Sequence, residues 1–516
     1  MSKSLFKSTS VVVSMTMISR IFGFLRDMVT AQLFGAGVAF DAFSVAFKIP
    51  NFMRRLFAEG SFSQAFVPVL SEYQKTRSKE EVQRFINAMA GTLGVVLIGV
   101  TIIGVVFAPI IIRIFAPGFD TSGERFELAV TMLRITFPYL MFISLTAYAG
   151  AILNTYSRYW VAAFTPVFLN LCMIAAAYLL ATRMQVPIIG LAWGVFIAGI
   201  VQLFFQFPFL RRLHLLPKPV ISFHDSGVRK VLKLMVPALF GVSVGQVNLL
   251  IDTLFASFLV VGSVSWLYYS DRLMEFPLGV FGVAISTVIL PHLSRHHASE
   301  SHHDFSQTID WGLRCVLLVG IPSAVTFAVI SGPLISTLFQ HGHFDGHSVL
   351  MARKSLTMFA LGIAPFMLIK ILASGFYAKQ DMRTPVRIGI MAMIANMVFN
   401  LILIWPLKHA GIALATSLSS MLNGGFLYYY LRKHEIYIPR SGWLHFNIRL
   451  LFANTLLGIW LWFGSGDLQD WINGDWQSRA LHLAVLLVLA VVIYFVGLFV
   501  SGLRPRDLLI PQGQTI

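Results

Sequence analysis

Charge is what this sequence has least of. Only 12% of its 516 residues are Asp, Glu, Lys or Arg, 57% are hydrophobic, and mean hydropathy is +0.75. Soluble domains carry roughly 25% charged residues, so an ordinary soluble globular chain is excluded. Acidic residues are scarcer than basic ones, 23 against 39, for a net charge of +16. In a soluble chain that excess would point to nucleic acid. Here the basic residues fall mostly in short loops between apolar runs, so membrane topology accounts for them and no nucleic-acid partner is expected. Cysteine is nearly absent: Cys172 and Cys315 stand far apart in apolar segments and read as buried thiols, not as a metal or redox motif. No G-x-x-x-x-G-K-[ST], H-E-x-x-H, G-x-S-x-G or Cys-x-x-Cys segment occurs. The chain therefore has no signature of an ATP-driven pump, gives no positive sign of catalysis, and calls for no metal or cofactor. His296, His297, His302 and His303 near Asp304 read as a solvated loop, and His341, His343 and His347 as a short external turn.

What is present is a series of long apolar runs. A spanning helix needs about 20 largely apolar residues. About 14 segments qualify, near 10–36, 40–70, 84–115, 127–153, 160–183, 187–210, 231–259, 266–294, 308–331, 348–377, 384–405, 409–431, 446–465 and 480–502. The fold class is thus an all-α polytopic membrane protein, since spanning segments must satisfy their own backbone hydrogen bonds. Lys3 and Lys7 precede the first run as in a signal peptide, but Arg20, Arg26 and Asp27 interrupt it, so a retained first helix is expected.

The loops alternate in charge. Lys75, Arg77, Lys79 and Arg84 open a basic set that continues through Arg158, Arg211, Arg212, Lys218, Arg229, Lys230, Lys233, Arg295, Lys379, Arg383, Arg387, Arg432, Lys433, Arg440, Arg504 and Arg506. The intervening loops are nearly free of positive charge and include the acidic segment from Asp467 to Asp475. The positive-inside rule makes the first set, and with it both termini, cytoplasmic.

The chain also repeats itself weakly. Phe66-Val67-Pro68-Val69-Leu70-Ser71 aligns with Ile289-Leu290-Pro291-His292-Leu293-Ser294 at an offset of about 223 residues, and Phe137-Pro138-Tyr139-Leu140 with Ala364-Pro365-Phe366-Met367 at about 227. This predicts a six-helix lobe over 1–215, a second over 225–440 and two further helices with a cytoplasmic tail over 441–516. Transporters built from such repeats place their substrate between the halves.

Against this apolar background the charged residues inside the spans stand out, because a charge at membrane depth faces a cavity or a partner. In the first span Arg20, Gly23, Arg26 and Asp27 fall within an arc of about 120°. In the second, Asp41, Ser44, Lys48, Asn51, Arg55 and Glu59 share one helical face, with Arg54 beside it. Pro50 is expected to bend that helix or free a carbonyl, opening space beside Asn51 and Arg54. The eighth supplies Ser265, Tyr268, Asp271, Arg272 and Glu275; Arg272 and Glu275, three apart, are spaced to pair. One reading of these groups is solvated helix ends and closed ion pairs. The other is a cationic chamber for an anionic ligand, rimmed by carboxylates that hold the arginines when it is empty. Guanidinium suits phosphate through paired hydrogen bonds and keeps its charge when buried. Pyrophosphate fits Arg26, Arg54 and Arg272; a carboxylate ligand fits too.

Several segments carry a more specific resemblance. Ser19-Arg-Ile-Phe-Gly-Phe-Leu-Arg-Asp27, Phe34-Gly-Ala-Gly37, Asp41-Ala-Phe43, Phe47-Lys-Ile-Pro-Asn-Phe-Met-Arg-Arg-Leu-Phe-Ala-Glu-Gly-Ser-Phe-Ser-Gln-Ala-Phe-Val-Pro68, Ser265-Trp-Leu-Tyr-Tyr-Ser-Asp-Arg-Leu-Met-Glu-Phe-Pro277 and Gly375-Phe-Tyr-Ala-Lys-Gln-Asp381 look like the MurJ (MviN) lipid II flippases. These belong to the multidrug/oligosaccharidyl-lipid/polysaccharide exporter superfamily. The resemblance covers nearly the whole chain. It implies two six-helix lobes forming a V around a central cavity, and two C-terminal helices that make a groove for a lipid tail. The implied cargo is lipid II, undecaprenyl-pyrophosphate carrying the peptidoglycan disaccharide-pentapeptide, flipped across a bacterial inner membrane by a transporter, not an enzyme. Arg20, Arg26, Arg54 and Arg272 match the family's cavity arginines, and Asp41, Glu59 and Asp271 its acidic positions. With the neighbouring residues this gives Arg20, Arg26, Arg54, Arg272, Asn51 and Ser265 as expected substrate contacts. Asp27, Asp41, Glu59, Asp271 and Glu275 are the expected gating or ion-pairing groups. No motif specifies a coupling ion; membrane potential is an available energy source. Membrane lipid is an implied partner, and proteins of cell-wall synthesis would be plausible ones. The competing functions are an exporter of drugs or of another lipid-linked oligosaccharide, and a membrane enzyme acting on polyprenyl phosphate. A drug exporter calls for acidic cavity groups, and an enzyme for an Asp cluster or a nucleophile beside the arginines.

Overall fold

The computed structural model describes residues 3–298 and 301–504. The side chains of Glu59 and His297, and the tail with Arg506, lie outside the described residues. Every regular element among those described is helical. In chain order they begin α1 (Lys3–Phe34), α2 (Val38–Arg54), α3 (Ser63–Thr76), α4 (Lys79–Val106), α5 (Ala108–Phe115), α6 (Glu124–Thr136) and α7 (Tyr139–Thr155). They continue with α8 (Tyr159–Phe164), α9 (Pro166–Leu179), α10 (Ile189–Arg212), α11 (Ser226–Ser257), α12 (Ser263–Pro277), α13 (Val283–Ala298) and α14 (His302–Val329). The last are α15 (Ser331–Phe339), α16 (Gly346–Ala378), α17 (Arg383–Leu407), α18 (His409–Lys433), α19 (Trp443–Ser465), α20 (Leu468–Asn473) and α21 (Trp476–Val500).

Ten helical segments among the described residues are long and apolar enough to cross a membrane. The four other expected spans, near 10–36, 40–70, 231–259 and 266–294, are helical as well. Three of these four carry the charged residues singled out above: Arg20 and Arg26, Asp41 and Arg54, and Arg272.

Local chemistry sets many of the helix ends. Ser78 and Glu81 form a reciprocal capping box at the start of α4. Asp225, Asp345 and Asp475 each accept main-chain N–H bonds at the starts of α11, α16 and α21. Proline inside a helix removes the donor for the carbonyl four residues earlier. In α2, which runs straight through Pro50 to Arg54, the carbonyl so released is that of Ala46, and Thr136 of α6 donates its hydroxyl to it at 3.3 Å. In α14, Pro322 releases the Leu318 carbonyl, which accepts the Tyr494 hydroxyl of α21 at 2.7 Å. Each proline thus creates an acceptor that binds a neighbouring helix.

Pro50 thus frees a carbonyl, one of the two expected effects, without ending α2. A π-helical segment, Arg55–Phe62, joins α2 to α3, and a second, Leu278–Gly282, joins α12 to α13. They begin at Arg55 and Leu278, an offset of 223 residues that Pro68 and Pro291 share. The repeat therefore extends to the backbone distortions, and π turns inside helices are frequent at functional sites.

The chain divides into two compact units, Met1–Ser265 and Trp266–Ile516. In the first, Phe62, Phe66, Phe85 and Tyr148 form an aromatic core among α3, α4 and α7, and Val228 and Val231 bring α11 onto it. The Tyr148 hydroxyl is satisfied by the Ile86 carbonyl at 2.7 Å. In the second, α19 and α21 pack on each other and on α14 and α15 through Leu450, Leu457, Leu486 and Tyr494. Asp310, 1% exposed, ties the approach to α19 down: its Oδ1 accepts from Tyr437 Oη, Trp443 Nε1 and the Arg440 main chain. Its Oδ2 lies 2.9 Å from Arg314.

Candidate functional site

Three of the four arginines expected to bind an anion, Arg26, Arg54 and Arg272, are each held by a neighbour. Arg26 is buried in α1; its Nε and Nη2 donate to Asp27 Oδ1 at 3.0 and 2.6 Å, and its Nη1 to Asn170 Oδ1 of α9 at 2.9 Å. Asn170 is fixed in turn by donating to the Ser19 carbonyl at 3.1 Å. Adjacent residues on a helix do not normally face one another, so the Arg26 side chain must curl back over its own turn to reach Asp27. Arg54, half-buried at the end of α2, donates twice to Asn51 Oδ1, at 3.0 and 2.8 Å. Lys48 on the same helix donates to Thr253 Oγ1 of α11 at 2.9 Å. In the second unit, Arg272 pairs with Glu275 at 2.8 Å, the contact their spacing allows, and lies 4.9 Å from the centre of the Tyr268 ring. Asp271 and Arg20 are half-buried on α12 and α1.

Asp41 does something the sequence does not announce. It is fully buried, and its carboxylate accepts from the Gly262 N–H at 2.7 Å, the Ser265 N–H at 2.9 Å and the Ser265 hydroxyl at 2.5 Å. These groups form the first turn of α12. A helix start leaves orphan N–H donors and a partial positive charge. Gly262 precedes the helix at φ 93°, where glycine is favoured, and has no side chain with which to cap it. Asp41, more than 200 residues earlier, serves as the cap for the helix that carries Arg272. Ser265, expected as a substrate contact, has its hydroxyl committed to this cap. Arg125 of α6 reaches Asp41 Oδ2 at 3.8 Å while stacked 4.7 Å from the centre of the Phe119 ring.

Arg54 also lines a cavity of about 290 Å³ within the first unit. Tyr139, Thr146, Asn154, Gln202 and Gln206 form other parts of its wall. Sequence reasoning missed Asn170, Gln202, Gln206 and Arg125. The first three carried a signal, being amides inside otherwise apolar runs, two of them four residues apart on one helix face. Arg125 carried none, since it sits at the edge of a span where a solvated charge is ordinary. Among the described residues no cluster of three or more His, Cys, Asp or Glu side chains is arranged to bind a metal ion.

The family description "Lipid II flippase MurJ" matches residues 30–481. A Haemophilus influenzae protein named probable lipid II flippase MurJ is 47% identical over 508 residues, covering 96% of this chain and 99% of the relative. The lipid II flippase MurJ of Burkholderia cenocepacia is 41% identical, covering 97% and 98%. Among solved structures, an inward-closed lipid II flippase MurJ superposes with a TM-score of 0.80 at 25% identity, covering 96% of this chain and 99% of that one. An inward-facing multidrug transporter of the MATE family superposes at 0.67 with 12% identity over 83% of this chain and 98% of its own, a likeness of fold alone. The chain belongs to the MurJ family of lipid II flippases.

Proposed function

We propose that this chain flips lipid II from the cytoplasmic to the outer leaflet of a bacterial inner membrane by alternating access, as a transporter and not an enzyme. The observation that carries the reading is similarity over almost the entire length to proteins named lipid II flippases. The arginines take the pyrophosphate. Arg26, Arg54 and Arg272 are held by groups they can exchange for a better one: Asp27 and Asn170, Asn51, and Glu275. A pyrophosphate offers more charge and more acceptor oxygens than any of these. While the site is empty the same partners keep buried cations from standing alone, which would be costly in a membrane.

Arg26 and Arg54 belong to the first unit and Arg272 to the second. Cargo drives the switch only if it binds the two states unequally. The Asp41 cap on α12 belongs to the empty state and is the gating contact on this reading. The headgroup crosses while the polyprenyl tail remains in lipid. Depleting the protein from its host should make lipid II accumulate in the inner leaflet; unchanged inner-leaflet lipid II would refute the proposal. Arg26→Ala and Arg272→Ala should each fail to support growth of a strain lacking its own flippase at normal protein level. Full complementation by both would remove the arginine clamp while leaving the transport reading intact.

A further inference from the structure

We propose that the segment joining α10 to α11 is a membrane anchor: residues 219–223 lie in the headgroup–acyl boundary at the basic end of α4, with Ile221 and Phe223 against lipid chains. The surface lies apart from the arginines and does not depend on the cargo. Between Lys218 and His224 the segment reads Pro-Val-Ile-Ser-Phe, without a charge. Its apolar side chains are turned outward: Val220 is 55% exposed, Ile221 62% and Phe223 44%. A contiguous apolar patch of this kind marks a protein or membrane interaction site. The backbone favours the membrane. Alternate amides hold the segment on α4: Lys218 N–H donates to Asn87 Oδ1 at 2.8 Å, Val220 N–H to the Asn87 carbonyl at 3.0 Å and Ser222 N–H to Thr92 Oγ1 at 3.2 Å. Between them stand Pro217, Pro219 and Ile221. The prolines have no N–H to leave unpaired, so within 217–222 only Ile221 has an amide outside this pattern. Lipid tolerates little exposed irregular backbone, because unpaired N–H groups find no water there. A segment facing water needs no such economy.

The face of α4 beneath the segment is one that continues into lipid. Asn87, Gly91 and Val95 follow at intervals of four residues, with Thr92 and Val96 beside them. Contact is close at Gly91, where a Cβ would lie 2.4 Å from the Val220 backbone. Thr92 is fully buried under the segment, whereas Val95 and Val96, one turn further on, are 40% and 43% exposed. α4 is long and apolar enough to span, and its last charged residue is Arg84. The run from Phe85 to Val106 is about 33 Å long at 1.5 Å per residue, close to the thickness of a hydrocarbon core. Thr92 lies about 10 Å along it, the depth to which interfacial segments bury their apolar side chains. Arg84 and Lys218 remain at the shallow end, where long basic side chains reach phosphate. A soluble protein partner cannot reach an apolar surface at that depth, so the occupant is phospholipid.

The test measures depth. Full-length protein in nanodiscs of zwitterionic and anionic phospholipid would carry a nitroxide at Ile221→Cys or Phe223→Cys, with Cys172 and Cys315 replaced by serine. Collisions with oxygen and with a water-soluble nickel chelate report how deep the label lies. Both positions should read about 5–10 Å below the phosphates, on a scale set by Lys79→Cys in water and Val96→Cys in lipid. Labels as open to nickel as Lys79→Cys overturn the anchor. Labels shielded from both reagents put the segment inside the protein and overturn it too. Openness to nickel in nanodiscs but shielding in native membrane vesicles makes the partner a protein and overturns the lipid assignment. The unsubstituted protein gives a second measurement, independent of how the variants fold. A phospholipid bearing a diazirine close to its acyl carbonyl should label residues 219–223; labelling confined to the spanning helices overturns the proposal.

Discussion

Replacing Asp41 by asparagine should loosen the start of α12. The carboxylate accepts three hydrogen bonds there, two from main-chain N–H groups and one from the Ser265 hydroxyl. Hydrogen bonds to a charged acceptor contribute about 1.5–3 kcal/mol each, neutral ones about 0.5–1.5. Asparagine keeps one acceptor oxygen and turns an NH₂ group toward N–H donors, so at least one bond is lost and the others weaken. The expected change is about 3 kcal/mol, or roughly 100-fold in the opening equilibrium. Hydrogen exchange reads this directly, because two of the three donors are exchangeable amides. In Asp41→Asn the Gly262 and Ser265 amides should exchange roughly 100-fold faster at neutral pH, while the Ser478 amide, capped by Asp475 within its own helix, should not change. Transport should fall as well, since the helix released is the one bearing Arg272. Exchange at Gly262 and Ser265 within about threefold of wild type would show that Asp41 does not hold α12, and the gating role would fall with it.

Other consequences are smaller or more local. Arg125→Gln should accelerate exchange at the same two amides by only about fivefold, because the guanidinium reaches Asp41 at 3.8 Å and adds charge without a close hydrogen bond. Asp310→Ala should lower stability in detergent by about 3–5 kcal/mol by stranding Arg314 and three donors. Asp310→Asn, which keeps an oxygen for those donors, should cost clearly less in the same thermal melt. Tyr494→Phe should cost about 1 kcal/mol, and less in a Pro322→Ala background, where the restored N–H supplies the Leu318 carbonyl; equal costs in both backgrounds would contradict the proline argument. Gly91→Ala would set a methyl 2.4 Å from the Val220 backbone, so the segment joining α10 to α11 should become more sensitive to proteolysis between residues 213 and 225.

Part of the arrangement of these side chains is legible in the sequence. Helical periodicity put Arg20, Arg26 and Asp27 on one face and Asp41, Lys48 and Asn51 on another, because side-chain direction follows directly from a fixed rotation per residue. Periodicity also made the Arg272–Glu275 pair predictable, both residues lying within one turn. It could not say that Arg26 would curl onto its own neighbour, nor that a π turn would follow Arg54. Both depend on rotamers and turn geometry decided by packing. The sequence places Asn51 near Arg54, and the side-chain positions make it that arginine's acceptor.

The sequence by itself determined that the chain is helical and lives in a membrane, and that its few charges within the spans lie on chosen helix faces. Those properties are carried by composition and by a period of 3.6 residues, and neither needs a partner to be known. Only the tertiary structure decided what each charge touches. Arg26 meets Asn170, Asp41 caps a helix that begins at Ser263, and two glutamines share Thr165, over separations of 144, more than 200, and about 40 residues. A helical face states that a polar group needs a partner. Which partner it finds depends on how distant helices pack, and a local pattern holds no record of that.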